Sequence, residues 1–291
     1  MGAVKNSGVF KGVSINGQIA KGLVKNGVVF WKQENLHAHT VKILALATAI
    51  GATPPTNIAN FDSYVRAMYP IWLEYCDLYA MFFADGNTDF KRINLANPDG
   101  VLFDFYGGFT LDSNGFKGNG INAYVDTNFN PSLLVSGQKY QLNDASQFGV
   151  VSGIDGISTV LTSIIAGARG IGGDNTFFAF NTASHKINTI NELTGGNVDL
   201  SGLGLKMINR TSATEVNLIN KLNLSARKSS SSPMANYNQY LLRRGLNSSF
   251  AYSVTKISSY GMGKSIPFEV SQQIRTIENN YRASLGIPQI A

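Results

Sequence analysis

Apolar residues along this chain recur with two periods. The stretch 39–50 is rich in Ala and Leu and halts at Gly51, which predicts a helix. Ile58, Phe61, Val65 and Met68 repeat at helical spacing, so a second helix is expected over about 56–68, with Pro70 ending it. A last helix is predicted over 268–285, where Val270, Ile274, Ile277, Tyr281 and Leu285 form one stripe. Gly286 and Pro288 then stop it. Between these helices the pattern changes to short apolar runs at 78–83, 123–127, 147–151, 158–166, 175–180, 186–190, 204–209, 215–219, 239–243 and 251–260. Asn-Gly, Gly-Gly, Asn-Asp and Ser-Ser-Pro punctuate them. Many short strands with regular turns predict a β-sandwich or jelly roll.

The first residues form a separate pattern. Lys11-Gly12-Val13-Ser14-Ile15-Asn16-Gly17 recurs ten residues later as Lys21-Gly22-Leu23-Val24-Lys25-Asn26-Gly27. Each copy ends in Asn-Gly, the pair that best tolerates a type I′ hairpin turn. A β-meander of three or four strands is expected, too small to be stable without a neighbour. The domain reading is therefore a small β module over 1–34, a helical connector over 35–70 and a sandwich over 71–291 that ends in the amphipathic helix.

Composition sharpens this picture only in part. Of 291 residues, 14% are charged and 44% hydrophobic; the polar character comes from Asn, Ser, Thr and Gly. The net charge is +6, and the first 33 residues supply most of it, because Lys5, Lys11, Lys21, Lys25 and Lys32 stand there with no acid. A solvated lysine face accounts for this, and no Arg cluster interleaved with aromatics argues for nucleic acid. Cys76 is the lone cysteine, so no intrachain disulfide forms. The start lacks the apolar core of a signal peptide, and the longest helical apolar run is too short to span a bilayer. The expectation is a protein made in the cytosol that stays soluble or leaves only as part of a particle, with no membrane association.

Candidate chemistry is sparse. Gly261-Met262-Gly263-Lys264-Ser265 looks like the end of a phosphate-binding loop, but the required first glycine is Ser258, and Pro267 follows too closely. The structural reading is that Gly261 and Gly263 reverse the chain after the last strand, Ser265 caps the helix and Pro267 enters its first turn. His37 and His39 alternate, but His185 is the only further histidine, so they are read as loop residues rather than zinc ligands. Gly167 to Gly173 is read as a hairpin loop. The six glutamates, Glu34, Glu74, Glu192, Glu215, Glu269 and Glu278, offer no pair on one strand face. Asp85 and Asp89 bracket a turn. Neither a nucleophile elbow nor a base for Cys76 is evident. No catalytic residue, metal site or cofactor is assigned, and no ligand-binding residue is fixed. Tyr106, Tyr140, Tyr237 and Tyr240 are candidates for stacking on sugar rings from loops.

The segment Phe109–Ser132, FTLDSNGFKGNGINAYVDTNFNPS, carries a resemblance. Phe116, then Gly118-Asn119-Gly120, the strand Ala123-Tyr124-Val125, and Asp126-Thr127-Asn128-Phe129-Asn130-Pro131 resemble a pattern of bacteriophage virion proteins with a concanavalin A-like lectin/glucanase fold. Ile71-Trp72, Asp77-Leu78-Tyr79, Ile93-Asn94-Leu95, Asn97-Pro98 and the C-terminal helix with Leu285-Gly286 extend it over roughly 40–291. The resemblance implies a mainly β, concanavalin A-like jelly-roll sandwich with a few peripheral helices, in a tail, fibre or head-decorating part of a virion. The acidic cluster of the glucanase branch is missing, and no lectin-type calcium site is placed. Gly118 and Gly120 are expected to allow a tight entry turn, and Asp126 and Asn130 to tie the following loop to its own backbone.

The function expected from sequence is thus a non-enzymatic structural protein of the phage particle, joined to other virion proteins through residues 1–34 by strand addition and forming a closed homo-oligomer. The alternative is a carbohydrate-binding module for a host-surface glycan; a glycoside hydrolase ranks third.

Overall fold

A computed structural model describes residues 2–6, 9–15, 18–19, 22–25, 28–32, 36–153, 164–170, 173–179, 185–189, 202–220, 223–243 and 252–290. The chain divides into two compact units, Met1–His37 and Ala38–Ala291.

The first unit holds β1 (Gly2–Asn6), β2 (Val9–Ile15), β3 (Gln18–Ile19), β4 (Gly22–Lys25) and β5 (Val28–Lys32). These make a three-stranded sheet, β1-β2-β3, and a separate pair, β4-β5. Ile15 pairs with Gln18 and Lys25 with Val28; the Asn-Gly dipeptides themselves lie outside the described residues. Among the described residues this unit holds five strands in two sheets, against the one meander of three or four expected from sequence.

The second unit begins with α1 (Ala38–Ala49) and α2 (Ile58–Tyr75), then β6 (Cys76–Met81) and the short α3 (Thr88–Lys91). Next come β7 (Asp104–Tyr106), β8 (Thr110–Asp112), β9 (Gly115–Lys117) and β10 (Tyr124–Asp126). After them run β11 (Ala145–Gly153), β12 (Ile164–Gly170), β13 (Gly173–Ala179) and β14 (Lys186–Ile187). The unit closes with β15 (Gly204–Arg210), β16 (Glu215–Asn220), β17 (Asn223–Lys228), β18 (Tyr240–Leu241), β19 (Lys256–Gly263) and α4 (Phe268–Ser284).

The unit is mainly β, a jelly-roll sandwich. Six strands pair in the order β14-β13-β12-β18-β10-β7. A larger sheet runs β17-β16-β15-β11-β19-β9-β8, with β6 also on β19. All of these pairings are antiparallel. Strand alternation sorts the apolar side chains into two cores. Leu78, Ala80, Phe116, Tyr260 and Met262 of the larger sheet meet Val125, Ile165, Ile187 and Leu241 of the smaller one. On its other face the larger sheet presents Tyr79, Met81, Phe148 and Met207 to Ile43, Val65, Trp72 and Ile274 of the helices. The layers are thus sheet, sheet and helices.

Pro70 does not end α2, which continues to Tyr75. An interior proline costs about 3 kcal/mol. Burial of Ile71 and Trp72 beyond it contributes about 3–6 kcal/mol, so packing outweighs propensity. Asn57, whose side chain accepts from Asn60 N at 3.0 Å, sets the start of the helix. The end of α4 follows the sequence, with Gly286 at φ +68°. Its start does not. Ser265 donates its backbone N–H to Asp144 Oδ1 at 2.8 Å, and Pro267 occupies the cap position without a side-chain bond.

Gly261 and Gly263 also differ from expectation: both lie inside β19, not in a turn after it. A Cβ on Gly261 would stand 2.2 Å from the Phe148 ring, and one on Gly263 1.8 Å from the Tyr75 carbonyl oxygen. These glycines serve close packing. Lys264 pairs with Glu74, leaving nothing of a nucleotide loop. The expected hairpin loop from Gly167 is likewise mostly strand, since β12 runs through Gly170 and β13 starts at Gly173. The run predicted over 158–166 falls outside the described residues up to 163.

A buried polar chain joins α4 to the larger sheet. Glu278 Oε1 accepts from Tyr79 and Ser259 hydroxyls, each at 2.6 Å, and Tyr64 and Tyr79 hydroxyls lie 2.7 Å apart. Burial pushes the Glu278 carboxyl above its usual range, against the hydroxyl bonds and the Arg282 charge. The unfolded chain therefore ionises first, near pH 4.3, and stability drains from there up to the raised folded value. Glu278→Gln is expected to match the wild type in acid and to gain on it as pH rises through that window in urea melts. A wild-type advantage growing with pH would contradict this sign.

Candidate carbohydrate-binding face

β7, β10 and β18 lie side by side at one end of the six-stranded sheet, and each alternates one inward with one or two outward side chains. Phe105, Val125 and Leu241 point into the sandwich core. Asp104 and Tyr106, Tyr124 and Asp126, and Tyr240 take the opposite face. The register sets Tyr124 opposite Tyr106 and Asp126 opposite both Asp104 and Tyr240. The Tyr106 and Tyr124 rings stack at 4.7 Å with 12° between planes, and Tyr106 is 43% exposed. Arg243 sits inside the tyrosine group, its guanidinium carbon 4.4 Å from the Tyr124 ring centre, 5.1 Å from Tyr240 and 5.6 Å from Tyr252.

Two carboxylates directly opposite each other would repel. Here the loop after β10 offsets that cost. Asn128, at φ +53°, donates its backbone N–H to Asp126 Oδ1 and its Nδ2 to Asp104 Oδ2, both at 2.8 Å. Arg92 Nη2 bonds Asp104 Oδ1 at 2.8 Å, and Asn238 Nδ2 bonds Asp126 Oδ1 at 3.0 Å. Burial raises the Asp126 carboxyl above its usual range, aided by the Asp104 charge and opposed by the bonds from Asn128 and Asn238. Tyr240 is pushed up to about 12 by burial and by Asp126. The polar row continues past Asp126. Asn130 Nδ2 donates to Asn236 Oδ1 at 3.0 Å, and Ser132 Oγ to the same oxygen at 2.8 Å. Beside Tyr106 a shallow hollow of about 440 Å³ is lined by Thr88, Arg92, Asp104, Phe105 and Phe109. The face thus offers flat aromatic surface next to carboxylate and amide oxygens and nitrogens, the pairing that suits a sugar ring with its apolar face and hydroxyl edge.

Of the tyrosines proposed from sequence, Tyr106 and Tyr240 stand here, on strands rather than loops. Tyr140 is wholly buried and donates its hydroxyl to Asn188 Oδ1 at 2.8 Å; Tyr237 is half-buried in the loop before β18. Tyr124, Tyr252, Arg243 and the Asp104–Asp126 pair escaped the sequence reading. Asp126 and Asn130 do tie their loop, the latter by accepting from Ser132 N at 3.0 Å. Gly118 admits the Ser253 carbonyl oxygen, 1.9 Å from where a Cβ would stand, and Gly120 has φ +72°. His39 lies on α1, not in a loop, and its Nε2 is 2.7 Å from Leu95 O. Cys76 is buried, with its thiol pushed up to about 12 by burial. Among the described residues no three His, Cys, Asp or Glu side chains converge, and no helix is long and apolar enough to cross a membrane.

No family model matches this chain, and no curated protein matches it. Among solved structures, domain 4 of AbnA, a GH43 extracellular arabinanase from Geobacillus stearothermophilus in complex with arabinotriose, is similar at 11% identity with TM-score 0.43. The match covers 68% of this chain and 98% of that one. A mutant Trypanosoma rangeli sialidase displaying trans-sialidase activity is similar at 12% identity with TM-score 0.45, over 79% of this chain and 40% of that one. A second structure of that sialidase, with 2,3-difluorosialic acid, gives 12% and 0.39 over 76% and 38%. The chain therefore spans less than half of either sialidase. The sandwich itself rests on the strand pairing above. The expectation of a non-enzyme does not survive: it rested on finding no paired acids, and that scan missed Asp104 and Asp126, which face each other across β7 and β10.

Proposed function

We propose that this chain is a carbohydrate-recognising β-sandwich carried on a bacteriophage particle, with residues 1–34 as the attachment module and the tyrosine–aspartate face of the six-stranded sheet as the recognising surface. The stacked Tyr106–Tyr124 pair beside Asp126 and Asn238 carries the recognition half of this reading. The particle half is supported by the resemblance of Phe109–Ser132 and by the hairpins of β1–β5, whose edges suit strand addition to another chain.

The test is a glycan array and a whole-cell binding assay on the full chain. Saturable binding is expected, and Tyr106→Ala and Tyr124→Ala are each expected to weaken it by at least ~10-fold, as loss of a central aromatic contact does. Removing residues 1–34 is expected to leave glycan binding unchanged and to abolish incorporation into particles. The same incubations are assayed for new reducing ends, which would add hydrolysis to recognition. Binding that ignores both tyrosine substitutions would move recognition to another surface; normal incorporation of the shortened chain would end the attachment role.

A further inference from the structure

The charges on the tyrosine–aspartate face are already matched within the chain. Arg92 holds Asp104 and also donates Nε to the Phe103 carbonyl at 2.9 Å. Arg243, only 5% exposed, is enclosed by the rings of Tyr124, Tyr240 and Tyr252. Both cations are engaged with the chain's own groups, while the Asp104 and Asp126 carboxylates stand beside the exposed ring. An anionic sugar brought here would lose water and meet two carboxylates, while Arg92, which lines the hollow, is already held by Asp104 and the Phe103 carbonyl and Arg243 by its three rings, which is costly. A neutral sugar meets no such penalty. It lays an apolar face on Tyr106 and directs hydroxyls to the aspartates, which accept, and to the asparagines, which accept and donate through one amide.

The polar row also continues along the loop after β10, from Tyr124 through Asp126 to Asn130. Asn238 flanks it at Asp126 and Asn236 flanks it at Asn130. A sugar ring seated on the tyrosine stack, beside Asn238, leaves the Asn130–Asn236 pair to a further unit of the same polymer.

Resting on the recognition reading above, we infer that the ligand is a neutral polysaccharide, bound as a segment of several sugar units laid from the Tyr106–Tyr124 stack to the Asn130–Asn236 pair. The experiment is affinity electrophoresis of the full chain through gels containing mannan, dextran or β-glucan, set against gels containing alginate or hyaluronan, at low and high salt. At least one neutral polymer is expected to retard the protein equally at both salt levels, and the acidic polymers are expected to leave it unretarded, since no charge pairing is involved. Asn236→Ala is expected to weaken binding of that neutral polymer several-fold while leaving its disaccharide unit unaffected; Tyr106→Ala weakens both. Tyrosine-dependent, salt-sensitive retardation by an acidic polymer would overturn this inference and leave the recognition reading standing. Equal loss of polymer and disaccharide in Asn236→Ala would overturn the extended segment. Absence of retardation by every polymer would overturn the recognition reading and this inference together. Thermal melts of each variant show that the fold is retained.

Discussion

Lys91→Met is expected to destabilise the sandwich unit by about 3–5 kcal/mol, because three carbonyl oxygens lose one shared donor. Lys91 is 2% exposed, and its ammonium donates to the carbonyl oxygens of Phe83 at 2.5 Å, Ala84 at 2.9 Å and Asp85 at 3.1 Å. Three donors meet three acceptors, although burial still pulls the Lys91 ammonium down to about 7. The same contacts hold the chain where it leaves β6. Ala84 has φ +74°, a left-handed conformation that costs a non-glycine residue about 1–2 kcal/mol. Methionine fills the volume of the lysine stem but donates nothing. Each stranded carbonyl then carries a desolvation cost of about 1–3 kcal/mol. Equilibrium urea unfolding of the two proteins, with the slope checked for equality, measures this loss. A loss below about 1 kcal/mol would mean that water or a rearranged turn replaces the ammonium, and that Lys91 does not organise the exit from β6.

Gly263→Ala is the second large effect, expected to cost about 3 kcal/mol or more because overpacking here meets backbone on the facing side. The added carbon would lie 1.8 Å from the Tyr75 carbonyl oxygen and 2.8 Å from Cys76 Cα. That carbonyl also accepts from Lys264 N at 3.0 Å. The junction of α2 with β6 and the end of β19 therefore close on each other with no side chain between to move aside. For a unit of this size the corresponding fall in Tm is roughly 6–12 °C. Gly261→Ala provides the contrast. Its carbon would meet only the ring of Phe148, which can turn, so its loss is expected to be smaller. Thermal melts ranking Gly261→Ala below Gly263→Ala would contradict this account of why the glycines stand in β19.

The sequence made α4 legible because a stripe, a stop and a following proline agree. It also made the long strands legible, since their alternation and turn letters are local. What it hid depends on partners. Whether Pro70 breaks a helix depends on what lies beyond it, and Ile71 and Trp72 have a core to enter. Glycines that look like a loop proved to be contact points, because their neighbours, Phe148 and Tyr75, are far off in sequence. The tyrosine–aspartate face was hidden by brevity. β7 and β10 have three residues each, too few for periodicity to register. Yet Asp104-Phe105-Tyr106 and Tyr124-Val125-Asp126 are near mirror images. Antiparallel pairing of mirror images must set tyrosine on tyrosine and aspartate on aspartate, with the apolar residues facing inward. That symmetry was present in the letters and is the signal that identifies the face without coordinates.

The central claim is that sugar lies on this face. Amide and side-chain resonance mapping of the full chain, titrated with the neutral polysaccharide fragment that retards it most, tests that claim most directly. The largest shifts are predicted at Tyr106, Tyr124, Asp126, Asn236 and Asn238, with the helices and β15–β17 unmoved. Shifts concentrated on the helical layer or on β17, with Tyr106 and Tyr124 silent, would contradict it.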